Sequence, residues 1–158
     1  MGWVNPTGAT SEDLGDADRV WNNCTNVING LTTDWADTNP DAGEYSYYLY
    51  LTRAAIWVDK IQLYWEDKGS TGICPMDYYD GSWNQFNTIA GADHVWLERA
   101  FPSAVLITQI RMMIWSNSNG AYARLAAVQW NEVSAPPSGS VSGPGASQMA
   151  FRVATGMM

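Results

Sequence analysis

Between residues 45 and 133 apolar positions recur with period two, and turn residues interrupt them every eight to twelve positions. That spacing predicts short β-strands, because successive side chains of a strand point to opposite faces. Residues 45–51 set Tyr45, Tyr47, Leu49 and Leu51 on one face and Ser46, Tyr48 and Tyr50 on the other. Arg53-Ala54-Ala55 reads as a connection. Residues 56–65 then set Trp57, Asp59, Ile61, Leu63 and Trp65 opposite Val58, Lys60, Gln62 and Tyr64. The polar run 66–72 is a turn, and 73–79 is a strand edged or broken at Pro75, which lacks a ladder donor. Asp80-Gly81 is a hairpin signal that hands over to a strand at 83–89. Residues 95–100 alternate again, and 104–115 form the longest apolar run. Met112 and Met113 would suit a helix there, but Pro102 precedes the run and Val105, Ile107, Thr108, Ile110 and Ile114 are β-branched, which favours a strand. Asn117-Ser118-Asn119-Gly120 is a turn, and 121–133 is the last strand.

The two ends differ from this middle. Residues 1–19 are polar and acidic and read as an extended arm, with a helical turn near 11–19 capped by Ser11. Residues 134–148 are a Pro, Gly and Ser linker. Residues 149–158 are apolar, which is unusual for a disordered end, so Met149, Phe151, Val153 and Met157 are candidates for a docking tail. The domain proper is 20–133. Many short strands and no long helix mean an antiparallel sandwich or barrel and not a parallel α/β fold.

Composition narrows the partners. The chain has 158 residues, a net charge of −8 and only eight Lys and Arg, with no basic run. Nucleic acid and anionic membrane surfaces are therefore not expected partners. No stretch has the length and apolarity of a transmembrane helix, and the opening Met-Gly-Trp-Val-Asn-Pro has no signal-peptide pattern. Residues 1–50 hold eight of the sixteen acids, whereas 101–158 hold only Glu132. Cys24 and Cys74 are too few for a metal cluster with the single His94. Two readings stay open: buried thiols, favoured by the missing signal, or a bridge closing about fifty residues and worth ~4 kcal/mol.

Asn29-Gly30-Leu31-Thr32-Thr33-Asp34-Trp35, then paired strands, then Asp80-Gly81-Ser82-Trp83, then an apolar strand bearing Arg111 follow each other in order. This order resembles discoidin-like (coagulation factor 5/8 type C, galactose-binding-like) domains over about residues 20–133. The resemblance implies an all-β, antiparallel jelly-roll β-sandwich with an extended N-terminal arm and a C-terminal tail. It implies a binding role without chemistry, with Arg111 and Trp83 structural. Many such domains hold calcium with an Asp in the first turn and a Glu in the last strand. Here Asn29 and Ala127 stand at those places, so no metal or other cofactor is expected. The opening Met-Gly-Trp-Val-Asn-Pro-Thr-Gly is also similar to the start of such modules in bacteriophage structural proteins.

No catalytic residues are assigned. Asp59 and Glu98, on predicted strands, are the only acids taken as candidates with a rigid platform, and they read as salt-bridged or edge-exposed strand acids, while His94 has no partner at motif spacing. Two roles remain. The first is a non-enzymatic virion module (a capsid decoration, head-fibre or tail component) assembled in the host cytoplasm as a homo-oligomer on other particle proteins. The second is a carbohydrate-binding module for cell-surface glycans. In this fold the sugar site lies in loops at one end of the sandwich, which nominates Asp37, Asn39, Asp41, Arg53, Trp115, Asn117, Asn119 and Tyr122.

Overall fold

The computed structural model describes residues 1–69, 71–88, 92–118 and 122–136. The tail residues Met149, Phe151, Val153 and Met157, the linker from 137 onward, Ile89 and Asn119 lie outside the described residues. Among the described residues there are ten strands: β1 (Trp3–Val4), β2 (Gly8–Ser11), β3 (Ala36–Thr38), β4 (Leu49–Asp67), β5 (Thr71–Ile73), β6 (Pro75–Tyr79), β7 (Trp83–Thr88), β8 (Trp96–Met112), β9 (Trp115–Ser116) and β10 (Ala123–Glu132). Every pairing is antiparallel.

Two long strands organise the sandwich. β4 and β8 pair along most of their length, but their halves have different outer neighbours. The first half of β4 lies between β2 and the end of β8, and β6 and β7 extend that layer. The second half of β4 lies between β10 and the start of β8, with β1 and β3 on the far side of β10. Bulges let the strands pass between layers. One sits between Thr52 and Ile56, where Arg53-Ala54-Ala55 was expected to be a connection and is instead part of one bent strand. The other places Val58 opposite Val105 and Lys60 opposite Ala100, so Pro102 falls where no ladder donor is needed. The two strands expected at 95–100 and 104–115 are therefore one, β8.

The second bulge also moves the face boundary. Val58, Ile61, Leu63 and Trp65 are buried, so the inward set changes parity at residue 59. An uninterrupted alternation sets Val58 on the face opposite Ile61, Leu63 and Trp65. A core of three fully buried tryptophans, Trp21, Trp65 and Trp130, is packed by Leu49, Leu51, Ile107, Ile110, Met112 and Val128. Each such side chain contributes roughly 1.5–3 kcal/mol by leaving water.

The N-terminal stretch is extended and hydrogen-bonded into both layers, through β1 on β10 and β2 on β4. The helical turn is shorter than expected. A 3-10 turn spans Ala17–Arg19 and its cap is Asp16, whose carboxylate accepts the Asp18 N–H. Ser11 belongs to β2, and its hydroxyl accepts the Trp21 N–H and donates to the Glu12 carbonyl. Cys24 and Cys74 are both free thiols. The first turn is closed by its own groups: Asn29 accepts the Leu31 N–H at 2.8 Å and donates to Asp34 at 3.2 Å. Ala127 is fully buried and offers no oxygen ligand from its side chain. Among the described residues no group of three or more His, Cys, Asp or Glu is placed to hold a metal ion.

Candidate functional site at the loop end

Both ends of β4 open onto one group of loops. Leu49 pairs with Met112, while Thr71, just past the end of β4, pairs with Ser116. Three segments converge there. The Arg19 and Asp18 carbonyls accept the Tyr47 and Asn39 N–H groups. The Asp41-to-Glu44 turn is tied to β9 by Gly43 N to Ser116 O at 2.9 Å and Ser116 N to Glu44 O at 3.0 Å. Tyr45 forms an isolated bridge with Trp115.

These ties hold two rings in contact. The Tyr45 and Trp115 centroids are 4.7 Å apart at 64°, an edge-to-face pair, and both rings are partly exposed. Beside them, the Arg19 Nε donates to the Tyr45 carbonyl at 2.7 Å, and the guanidinium sits 4.6 Å from the Tyr47 centroid and 4.0 Å from Glu44 Oε2. Asp41 and Asn117 are exposed at the rim. The arrangement offers an aromatic surface with a fixed donor, an acidic acceptor and an amide around it.

The loop end is held from beneath by Ser46. Its buried hydroxyl accepts the Ile114 N–H at 3.0 Å and the Trp21 indole N–H at 3.2 Å, and donates to the Tyr47 carbonyl at 3.0 Å. Ser46 and Ile114 directly adjoin Tyr45 and Trp115 in the chain, so this hydroxyl, together with the Ser46 N–H on the Ile114 carbonyl at 2.9 Å, ties together the segments that carry the two rings.

Of the residues expected at a sugar site, the structure brings Asp41, Trp115 and Asn117 together. Asn39 has its N–H on the Asp18 carbonyl and a buried Oδ1 without a partner among the described residues. Tyr122 is exposed next to the Ala123–Thr38 pair. Asp37 belongs to a separate group, exchanging backbone hydrogen bonds with Asn22 and lying opposite Arg124. Arg53 is elsewhere: it sits in the bend of β4 and donates to the Asn5 carbonyl at 2.6 Å. Arg19, Glu44 and Tyr45 were missed. Tyr45 reads as the first position of an alternating strand, on one face with Tyr47, Leu49 and Leu51, and Arg19 stands in the arm, with no motif linking it to Trp115.

The acids considered for chemistry are engaged structurally. Asp59 accepts the Asn131 amide at 2.6 Å, and Glu98 pairs with Lys60 at 2.9 Å. That hydrogen bond to Glu98 raises the Lys60 pKa. His94 lies 3.4 Å from Glu66. Arg111 pairs with Asp77 at 2.9 Å, the structural use expected of it.

No protein-family model matches the chain, and no curated protein matches it. Solved structures do. The family 32 carbohydrate-binding module (CBM32) of AlyQ, in complex with 4,5-unsaturated mannuronic acid, superposes with a TM-score of 0.59 at 15% identity, over 82% of this chain and 98% of that one. The fold is that of family 32 carbohydrate-binding modules. The family 32 module of Clostridium perfringens NanJ, in complex with galactose, gives 0.57 at 17% identity, over 79% and 91%. Chitosan-binding module 1 of the chitosanase/glucanase from Paenibacillus sp. IK-5 gives 0.57 at 16%, over 80% and 95%. A family 89 glycoside hydrolase of C. perfringens matches 84% of this chain with only 14% of its own length (TM-score 0.60, 16% identity).

The galactose-binding-like sandwich expected from the sequence is therefore the fold. The expected virion role is overturned: the three modules named above are sugar-binding ones, which fits the alternative reading, and they lend no support to virion partners or a homo-oligomer.

Proposed function

We propose that this protein is a non-catalytic carbohydrate-binding module whose sugar sits at the loop end against Tyr45 and Trp115. The observation that carries this reading is the ring pair at 4.7 Å, partly exposed and flanked by Arg19 and Glu44. A sugar ring has an apolar C–H face and a rim of hydroxyls. It suits an aromatic surface bordered by a few fixed hydrogen-bonding groups. The likeness to modules solved with mannuronic acid and galactose supports the reading. The test is a glycan array followed by titration of the best ligand. Saturable binding is expected, weakened about tenfold by Trp115→Ala, which corresponds to ~1.4 kcal/mol of lost contact. Circular dichroism should show the variant folded. No binding to any glycan at millimolar concentration would sink the reading.

A further inference from the structure

The outer face of the first layer carries an aromatic strip that the loop end does not use. Leu49 and Leu51 of β4 point into the core, so Tyr50, with Tyr48 just before the strand, points out. On β8, Ile110 and Met112 are buried and Arg111 faces out. Asp77 lies opposite Arg111 on β6, and Trp83 lies opposite Tyr79 across the hairpin. The rings run on without a break: Tyr48 to Tyr50 at 5.9 Å, Tyr50 to Trp83 at 6.1 Å, and Trp83 to Tyr79 at 5.2 Å.

Arg111 is fixed in the middle of this strip. Its guanidinium lies 4.2 Å from the Tyr48 centroid and 4.2 Å from the Trp83 centroid, while its Nε donates to Asp77 at 2.9 Å. The two side chains are 22% and 19% exposed, so they are held in place yet reachable. A guanidinium has five donors and a carboxylate several acceptor sites, so the pair keeps capacity for a ligand. Partial burial holds the Tyr48 phenol above its usual pKa, against the pull of Arg111, so it stays protonated at neutral pH.

We propose that this face is a second sugar-binding surface, on which a neutral glycan chain lies along Tyr48, Tyr50, Trp83 and Tyr79 with Arg111 and Asp77 meeting its hydroxyls. Three features choose this occupant. The strip is made of Tyr and Trp, whose apolar ring faces and polar edges match the mixed C–H and hydroxyl surface of a sugar. Its central charges, Arg111 and Asp77, form a neutral pair, and the Glu12 carboxylate acts on Tyr48 at one end, which favours a neutral chain over a uronate. Its four rings extend beyond the length of one pyranose, and Thr52 with Gln109 continues the polar border in register. The inference rests on the reading of the protein as a glycan binder but concerns a different place on it.

The test is amide chemical-shift mapping on the full chain, titrated separately with glucan, mannan and galactan hexasaccharides. The expected result is saturable shifts at residues 48–50, 77–79, 83 and 111 with at least one of them. Trp83→Ala should weaken those shifts about tenfold and leave any loop-end shifts as they are. Tyr79→Ala, at the end of the strip, serves the same purpose should Trp83→Ala unfold. Shifts at the loop end alone would overturn the second surface and leave the loop-end reading standing. Shifts on the strip alone would support the second surface and overturn the loop-end site. No shifts at all would overturn both. Strip signals that move with protein concentration, without sugar, would mark a protein contact and overturn the proposal.

Discussion

Replacing Ser46 by alanine should cost the fold about 2 kcal/mol and loosen the loop end at the same time. The Ser46 hydroxyl is 3% exposed as part of its residue and serves three groups at once: it accepts from Ile114 N and Trp21 Nε1 and donates to the Tyr47 carbonyl. Trp21 keeps a partner without it, because its Nε1 also donates to the Tyr47 carbonyl at 3.0 Å. Ile114 N does not, and Ile114 is buried, so the substitution orphans one backbone donor. An orphaned buried donor costs about 1–3 kcal/mol. For a chain of this length ~2 kcal/mol corresponds to a fall in Tm of about 4–8 °C. Urea unfolding followed by tryptophan fluorescence should show a lower midpoint with an unchanged slope, the mark of lost stability without a change in exposed surface. Ser46→Thr keeps the oxygen and should recover most of the loss. If Ser46→Ala unfolds within ~0.5 kcal/mol of the parent chain, the range of an inert surface change, the hydroxyl does not hold the two segments together. Its supposed hold on Tyr45 and Trp115 then goes with it. With the hold intact, the same variant weakens binding of any loop-end sugar, although Ser46 itself is buried beneath that surface.

Arg53→Ala should leave sugar binding unchanged and cost ~1–2 kcal/mol, because its partly buried 2.6 Å hydrogen bond fastens Asn5 to the bend of β4; a fall in glycan affinity with unchanged stability would refute this. Gly30→Ala should destabilise by ~1–2 kcal/mol in the same urea assay, because Gly30 has φ +76° and a Cβ there would stand 2.7 Å from the Asn5 amide. Burial pushes the Cys74 thiol far above its usual pKa, so the folded chain keeps a proton that the unfolded chain loses. The stability is then present below the unfolded thiol's pKa near ~8.5 and declines above it by about 1.4 kcal/mol per pH unit. Comparing denaturation from pH 8 to pH 10 in the parent and in Cys74→Ala isolates this slope, and equal slopes would refute it. Cys24 is shifted the same way, chiefly by burial, so neither thiol should react quickly with a thiol reagent at pH 8 until the chain is unfolded.

Period-two alternation made the strands legible because their inner faces are covered and their outer faces are wet. It located β4, β6, β7, β8 and β10 from side-chain chemistry alone. It failed where the chain inserts residues. Nothing in Arg53-Ala54-Ala55 or Pro102 tells a bulge from a loop, since both need weakly pairing residues at the same place. One bulge then reverses the parity that places Val58. The candidate site divides along the same line. Trp115, Asp41 and Asn117 were legible because aromatics and turn residues beside strand ends are exposed by geometry. Arg19 was not, since it meets Tyr45 only after the 3-10 turn and the tie between Tyr47 N and the Arg19 carbonyl bring residues 26 positions apart together. Arg53 was nominated because it read as a loop cation, and once β4 is seen to be continuous there, that reason disappears.

The bends of β4 and β8 also decide what each surface can do. A strand that crosses from one layer to the other returns its far end to the loops at its start, so Tyr45, Ile73 and Trp115 come from segments the core itself brings together. That surface is held by short ties, the two-residue β9 and single hydrogen bonds, where the strip has long ladders. The strip around Arg111 stands on the regular ladders of β4, β8 and β6, where every backbone position is fixed by register. A ligand there pays little to order the protein but must fit what is already in place. Chain-length dependence tests this division: longer oligomers should gain affinity through the fixed strip, with loop-end contacts saturating at one or two sugar units. If Trp83→Ala abolishes that gain while Trp115→Ala lowers affinity equally at every length, the two surfaces act as separate sites on one sandwich. If both variants lower affinity in the same proportion at every length, a single site accounts for the binding and the division fails.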